Sequence, residues 1–420
     1  MPVFQIILAL SYLLVCANPA DTLYLSLDDA VQLALKKSPS AIEAGAARLQ
    51  SGLTLGQSIN NLLPTPIATL TSVKTEPVTI WKGSVTISQV AFDPLVYAAL
   101  VNGIINSCYH SLDARDKIAR LIYDVTSDYL NLLKSQLLFA AAQKALAQAE
   151  ESRKLTSERY RLGQAARIDL LRSEAFYSQA QLNLSGAEKA LDLAQANLSA
   201  CIGISPSQPV RANEHLAQPA EISIHDADSL LLLMERLNPG ISMQKNLEKI
   251  ARINLATYFA RILPGISLYR SYEYNDTILP RNYQHWQEKS SHTDGISLTF
   301  PFVDLKTFII NIGDALAGSR RARAGLARAR LQLHAAAQAA ILGYQESWAR
   351  YQQTERNLEL NREVYELAII QYRLGALSVS ELLEVETSLS QAEASYLSAL
   401  CDTYIHAAEI GYLLGKTGSE

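Results

Sequence analysis

Residues 160–163 and 372–375 both read Tyr-Arg-Leu-Gly, and this repeated stretch decides the fold. Six residues after its glycine, each copy continues with an acidic residue and two leucines, beginning at Asp169 and at Glu381. Forty residues after that glycine lies a second one, Gly203 in the first half and Gly415 in the second. Segments with apolar residues at helical spacing flank both copies. The glycine and the small residues beside it therefore predict the turn of a long helical hairpin.

The composition favours long, alanine-packed helices over one large aromatic core. Hydrophobic residues make up 49% of the 420 residues, with only three Met and three Trp. Charged residues make up 19% and the formal net charge is −4, so no basic field points to nucleic acid.

The first residues resemble a secretory signal peptide, predicted over residues 1–17. The apolar run at residues 3–17 is too short to span a bilayer as a helix. Small residues at Val15 and Ala17 suit cleavage before Asn18. Cys16 is open to two interpretations: removal with the peptide, which the flanking residues favour, or lipidation.

Two halves of the chain repeat one plan. Asn238-Pro239 corresponds to Ser38-Pro39 at an offset of 200 residues, whereas the paired glycines lie 212 apart. The twelve extra residues are predicted in the polar stretch 274–293, as a longer loop. We predict a first repeat over residues 18–211 and a second over residues 212–416.

Each repeat also contains a short region with the alternation typical of β-strands. Val85 and Ile87 alternate with Ser84, Thr86 and Ser88, and Ile296, Leu298 and Phe300 alternate with Ser297 and Thr299. Glu76-Pro77 and Lys82-Gly83 are the predicted turns in the first region. The predicted unit is helix-strand-strand-helix-helix, present twice.

Four short strands are too few to close a barrel, since known outer-membrane barrels start at about eight strands. The sheet is therefore either a half-buried sheet of a soluble protein or one part of a barrel shared between copies. The strands alone leave both alternatives open.

These features together resemble the TolC-type outer-membrane efflux proteins over nearly all of the mature sequence. The opening helix at residues 26–35, the duplicated tips and their forty-residue returns carry the resemblance. It implies a mainly α fold with a small β part, in which long helical hairpins form an α-barrel. In a homotrimer, three chains would share a 12-stranded transmembrane β-barrel in the outer-membrane lipid, with a long periplasmic extension.

The resemblance implies a passive outer-membrane exit duct for a tripartite efflux or type I secretion system. Its partners would be a periplasmic adaptor and an inner-membrane pump, with no nucleic acid. The alternative is a periplasmic coiled-coil scaffold or adaptor without a pore. We predict no enzyme, no cofactor and no metal site, because the seven histidines show no paired ligand spacing.

The acidic residues after the turns are the candidate pore constriction. Glu381 and Glu384 lie three apart and hence on one helix face. The resemblance places them, with Asp169 of the first tip, at the narrow end of the duct. From the residues alone, the helix dipole equally explains acids in a first turn.

The resemblance also implies a latch and a docking surface at the tips. Tyr372 matches a tyrosine that holds the tips closed, and Arg373 is the candidate replacement for the family's latch arginine, whose position holds Leu377. The residues expected to contact the adaptor are Arg161, Leu162 and Gly163 in the first tip and Arg373, Leu374 and Gly375 in the second.

Overall fold

A computed structural model describes residues 22–213, 219, 227–279, 283–300 and 305–416. The predicted signal peptide, residues 1–17 with Cys16, lies outside the described residues. The chain is mainly helical, as predicted. Its helices are α1 (Leu27–Lys37), α2 (Pro39–Asn60), α3 (Pro94–Arg161), α4 (Arg167–Ile202), α5 (Ala227–Leu237), α6 (Pro239–Ala260), α7 (Tyr283–Lys289), α8 (Leu305–Arg373) and α9 (Val379–Leu413).

Within the described ranges, six strands form two sheets. The strands are β1 (Leu23–Leu25), β2 (Thr65–Thr75), β3 (Val78–Phe92), β4 (Val210–Ala212), β5 (Gly265–Asp276) and β6 (Ser290–Thr299). The larger sheet is antiparallel in the order β2-β3-β5-β6, and β1 pairs with β4 in a parallel two-stranded sheet.

The order of elements repeats along the chain, as the duplicated motifs predict. Two helices, a strand pair and two long helices occur first as α1 to α4 and again as α5 to α9. The second copy contains α7, which lies within the polar stretch predicted to hold the inserted residues. The boundaries of the two repeats, residues 18–211 and 212–416, stay a prediction.

The four repeated glycines end the four long helices in the left-handed conformation. Their φ angles are 72° at Gly163, 85° at Gly203, 79° at Gly375 and 72° at Gly415. A side chain disfavours this conformation, so glycine is the residue that ends such a helix at least cost. At Gly203 the constraint is twofold, because an added Cβ would lie 2.6 Å from the carbonyl oxygen of Lys37.

The chain divides into two compact units, and each unit takes segments from both halves of the sequence. The first unit comprises residues 1–43, 117–234 and 334–420. Its largest core joins α1, α3 and α4 to the β1–β4 pair, around Tyr129, Leu132 and Leu198. The Tyr129 hydroxyl donates to the Leu25 carbonyl at 3.1 Å, which ties α3 to β1.

The second unit, residues 44–116 and 235–333, contains the four-stranded sheet. The register places Ser84, Thr86 and Ser271 on one face and Val85, Ile87 and Tyr272 on the other. This confirms the predicted alternation. The apolar face is exposed in the single chain, where Ile296 keeps 65% of its surface.

One ion pair interrupts the apolar face of the sheet. Arg270 of β5 donates from Nε to Asp294 of β6 at 2.6 Å and from a terminal nitrogen at 2.8 Å. The two residues face each other directly across the strand pair. This bidentate geometry satisfies both charges within the sheet.

The first strand pair differs from the prediction at one turn. Glu76-Pro77 lies in the turn between β2 and β3, as expected, but Lys82-Gly83 lies inside β3. Gly83 has a packing role there, because an added Cβ would lie 2.5 Å from the Trp286 ring. Trp286 also stacks on Tyr274, with 5.2 Å between ring centroids. Glycine in a strand thus marks close approach of a ring and not a turn.

The β1–β4 pair was not predicted, because three-residue strands are too short to show alternation. Among the helices in the described ranges, none is both long and apolar enough to cross a membrane.

Replacing Gly203 with alanine is expected to lower the free energy of unfolding by about 2 kcal/mol or more. The added Cβ is disfavoured by the left-handed backbone and would lie too close to the Lys37 carbonyl. Gly186 of α4 is the matched control, because a Cβ there meets nothing within 4 Å. Gly186→Ala should be neutral or stabilise by up to about 1 kcal/mol. Thermal unfolding of both variants tests this; equal midpoints would contradict it.

Candidate functional site at the hairpin tips

The two predicted tips are helical turns of matching geometry. The Gln164 amide donates to the Arg159 carbonyl at 2.8 Å, and the Ala376 amide donates to the Gln371 carbonyl at 2.9 Å. Each bond closes the last turn of a long helix around its left-handed glycine. The leucine before each glycine projects outward, with 66% of Leu162 and 80% of Leu374 exposed. Both tips therefore present a bare leucine beside a glycine.

Glu381 is exposed in the first turn of α9 and caps that helix. Its Oε2 accepts from the Ser378 amide at 2.9 Å and from the Ser378 hydroxyl at 2.7 Å. The Ser378 hydroxyl in turn accepts from the Glu381 amide at 3.3 Å. This reciprocal arrangement is a capping box. The bond from the Ser378 side chain, followed by that from its backbone, lowers the pKa of Glu381.

Asp169 occupies the equivalent position in α4. Its Oδ2 accepts from the Ala166 amide at 3.2 Å, so it makes the backbone half of the same cap. Glu384 is exposed one turn after Glu381 on the same helix face. The cap contacts match the interpretation that Asp169 and Glu381 are acids favoured in the first turn of a helix. The assignment of these two residues and Glu384 to a constriction remains a prediction.

One hydrogen bond brings the first turns of the two return helices together. Arg172 of α4 donates to the Ser380 hydroxyl of α9 at 2.9 Å. Arg172 lies three residues after Asp169, and Ser380 directly precedes Glu381. The acidic first turns of both hairpins are therefore neighbours within one chain.

Tyr372 is fully buried between the two hairpins. Its hydroxyl lies 3.0 Å from the hydroxyl of Thr156 in α3. Arg159 of α3 lies over its ring at 4.4 Å and donates to its carbonyl at 2.7 Å. Hydrogen bonds and a cation–π contact thus join the two hairpins beside the tips.

The other latch candidates have different surroundings. Arg373 forms an exposed ion pair with Glu151 of α3 at 3.2 Å. Leu377 packs against the small core around Tyr372, Val379 and Leu382. The position at which the resemblance implies a latch arginine is therefore apolar, and Arg373 as its replacement stays a prediction.

Sequence reasoning missed one ionisable residue of this region. Glu386 is 5% exposed, and its Oε1 accepts from the Ser152 hydroxyl at 2.5 Å. Burial raises the pKa of Glu386 to about 7 against the lowering effect of that bond. A signal was present, because Glu386 lies four residues after Leu382 and three before Leu389, within the apolar stripe of α9.

Across the residues the structure describes, no three His, Cys, Asp or Glu side chains come together to hold a metal ion.

Comparison with known proteins points to one class. Residues 74–204 match the family model described as "Outer membrane efflux protein". The outer membrane efflux protein BepC of Brucella suis biovar 1 is 21% identical over 306 residues, which is 71% of this chain. The matched chain spans about three fifths (63%) of the length of that relative.

The fold resembles solved outer-membrane proteins along most of the chain. The Campylobacter jejuni outer membrane channel CmeC superposes with a TM-score of 0.81 at 16% identity, covering 93% of this chain and 85% of that one. The Vibrio cholerae outer membrane protein VceC superposes with a TM-score of 0.80 at 16% identity, covering 93% and 96%. At these identities, the likeness establishes the fold.

The buried carboxyl of Glu386 makes stability depend on pH. Its pKa is raised to about 7 in the folded chain from an ordinary value of 4.5, so the folded state binds more protons between these values. Stability from this group is therefore present at pH 4.5 and is lost as the pH rises to about 7. Glu386→Gln should raise the free energy of unfolding at pH 8 by up to about 3 kcal/mol, seen as a higher unfolding midpoint, and leave both nearly unchanged at pH 4.5.

The exposed Glu188 of α4 provides the control, since Glu188→Gln removes a carboxylate without burial. Thermal unfolding of the three proteins at both pH values is the measurement. A Glu386→Gln midpoint equal to that of the unmodified chain at pH 8 would refute the raised pKa.

Proposed function

We propose that the chain forms an outer-membrane exit duct, because its motifs, its family match and its fold all resemble those of the TolC-type outer-membrane efflux proteins. The duct passively passes solutes from the periplasm to the exterior. Its energy comes from an inner-membrane pump that engages it through a periplasmic adaptor. The single observation that carries the proposal is the four-stranded sheet, whose apolar face is exposed in one chain.

The sheet has two free edges among the described strands, β2 and β6. Lipid does not tolerate unpaired backbone groups, so a membrane-embedded sheet must pair both edges. A second copy can pair its β2 with the β6 of the first, and three copies close twelve strands into one barrel. The exposed apolar face then meets lipid, and the Ser and Thr face lines the lumen.

The Arg270–Asp294 pair lies on the lipid-facing side in this arrangement. An isolated arginine at mid-membrane costs about 2–4 kcal/mol, but a bidentate partner satisfies the charge locally. Asp294 also lies on the edge strand β6, next to the β2 of a neighbouring copy. The pair therefore lies at the seam between subunits, where protein covers part of it.

The constriction follows from the same three-fold arrangement. Glu381 and Glu384 of three chains place six carboxylates around the narrow end, with Asp169 contributing from the first hairpin. Rings of carboxylates attract cations and select for them. Docking of the adaptor would separate the hairpins by breaking the Tyr372 and Arg373 contacts, which widens this ring.

The tips are the proposed docking surface for the adaptor. Leu162 and Leu374 are among the most exposed apolar side chains, and each stands beside a glycine without a side chain of its own. A partner's helical hairpin can approach the backbone closely at such a place and cover the leucine. The flanking Arg161 and Arg373 supply charge at the rim.

The rival function is a periplasmic scaffold without a pore. The capping roles of Glu381 and Asp169 are compatible with it, because any helical hairpin uses such caps. The sheet argues against it, since a scaffold gains nothing from an exposed apolar face with open edges.

The proposal predicts a trimer in detergent. Light scattering of purified protein, corrected for bound detergent, should give a protein mass three times that of one chain. A strictly monomeric protein would reject the shared barrel and leave the scaffold as the better account.

The proposal also predicts cation-selective conductance in planar bilayers. The double variant Glu381→Ala, Glu384→Ala should lose cation preference and respond less to block by divalent cations, because the carboxylates that concentrate cations are gone. Single-channel recording measures both properties.

The matched control is Glu188→Ala, which removes an exposed carboxylate of α4 away from the tips. It should conduct as the unmodified chain does. Unchanged selectivity in the double variant would reject the constriction while leaving the duct intact, and absence of any conductance in the unmodified trimer would reject the duct.

A further inference from the structure

A cavity of about 450 Å³ lies among α3, α4 and α9 in the first unit. Apolar side chains form much of its wall, including Leu138 and Ala142 of α3 and Phe176 of α4. Its size falls in the range of pockets that bind small molecules. The cavity is thus large enough for a compact organic ligand and has walls suited to an apolar one.

Of the described residues that line this cavity, Glu386 is the single ionisable one. Ser152 satisfies one of its carboxyl oxygens, but the other, Oε2, is buried and has no hydrogen-bond partner among the described residues. A buried polar atom without a partner costs about 1–3 kcal/mol, and more when charged. The cavity therefore contains a buried hydrogen-bond acceptor to which no described residue donates.

Among the described residues, no cationic side chain acts directly on Glu386. The charged neighbour that acts on it is the carboxylate of Glu151, which is itself paired with Arg373 at 3.2 Å. The charge of Glu386 in turn raises the pKa of Tyr365. Lys144, two turns before Ser152 in α3, is paired with Glu393 of α9 at 2.8 Å. The missing partner is thus a cation that can donate a hydrogen bond.

We infer that this cavity binds a small amphiphilic amine, with the ammonium group on Glu386 and the apolar body against Leu138, Ala142 and Phe176. An anion would be repelled by the carboxylate of Glu386, and a metal ion would find a single carboxylate where it favours several. A neutral apolar ligand would leave Oε2 unsatisfied. An ammonium with a hydrocarbon body meets both the acceptor and the walls.

Such a ligand would contact both hairpins of one chain. Helices α3 and α4 belong to the first hairpin and α9 to the second. Binding to a cavity that exists only when these helices are packed together stabilises that packing. The site is a property of the folded chain and does not depend on whether the chain forms a duct.

Calorimetric titration at pH 8 of full-length protein with cyclohexylmethylamine and with cyclohexylmethanol tests the inference. The two probes share a hydrocarbon body and differ in charge. The amine should bind at least tenfold more tightly than the alcohol. Glu386→Gln should weaken amine binding about tenfold or more and weaken alcohol binding much less, because the glutamine carbonyl can still accept from the alcohol hydroxyl whereas the ammonium loses its ion pair.

Two further variants separate the cavity from the rest of the surface. Ala142→Leu fills the cavity and should abolish binding of both probes, whereas Ala147→Leu, at an exposed position on the same helix, should change neither. Equal affinity of the amine for the unmodified chain and Glu386→Gln would overturn the inference. So would amine binding that survives Ala142→Leu.

Discussion

A single antiparallel sheet of four strands with one apolar face is unfavourable in both water and lipid. In water the face that contains Ile87 and Ile296 is exposed, and in lipid the edges β2 and β6 leave backbone groups unpaired. Pairing with further copies in a membrane would give both edge strands hydrogen-bond partners and place the apolar face against lipid. The same constraint explains why the two strand pairs are hydrogen-bonded to each other, since β3 with β5 joins the first half of the chain to the second.

The first unit likewise links the two halves of the chain. Contacts such as Tyr372 with Thr156 and Arg172 with Ser380 connect a hairpin from each half of the sequence. Duplication thus yields two units that each need both repeats, rather than two independent domains. A change at one hairpin is therefore expected to affect the other through these contacts.

The parts of this molecule that sequence reasoning predicts are those with a local cause. A left-handed turn needs glycine, so Gly163, Gly203, Gly375 and Gly415 mark helix ends wherever they occur. Alternation reports a sheet with two unlike faces, which predicts the strands around Ile87 and Ile296. The β1–β4 pair and the role of Gly83 depend on partners far away in sequence, Val210 and Trp286, and leave no local pattern. For the same reason the site is only partly predictable: Glu381 follows from its place six residues after the turn glycine, whereas Glu386 acquires its properties from burial against Ser152.

The two interpretations of Glu381, helix cap and constriction, are physically compatible. A ring of carboxylates raises the pKa of its members through like-charge repulsion. The bonds from Ser378 act in the opposite direction and lower the pKa of Glu381. The cap uses Oε2, so in a constriction Oε1 would be the oxygen left for cations. Glu386, two turns into the same helix, shows the contrast: burial outweighs the hydrogen bond from Ser152 and raises its pKa to about 7. The cap therefore does for Glu381 what a constriction requires, because it keeps the carboxylate charged and fixed in direction where close neighbours would otherwise favour its protonation.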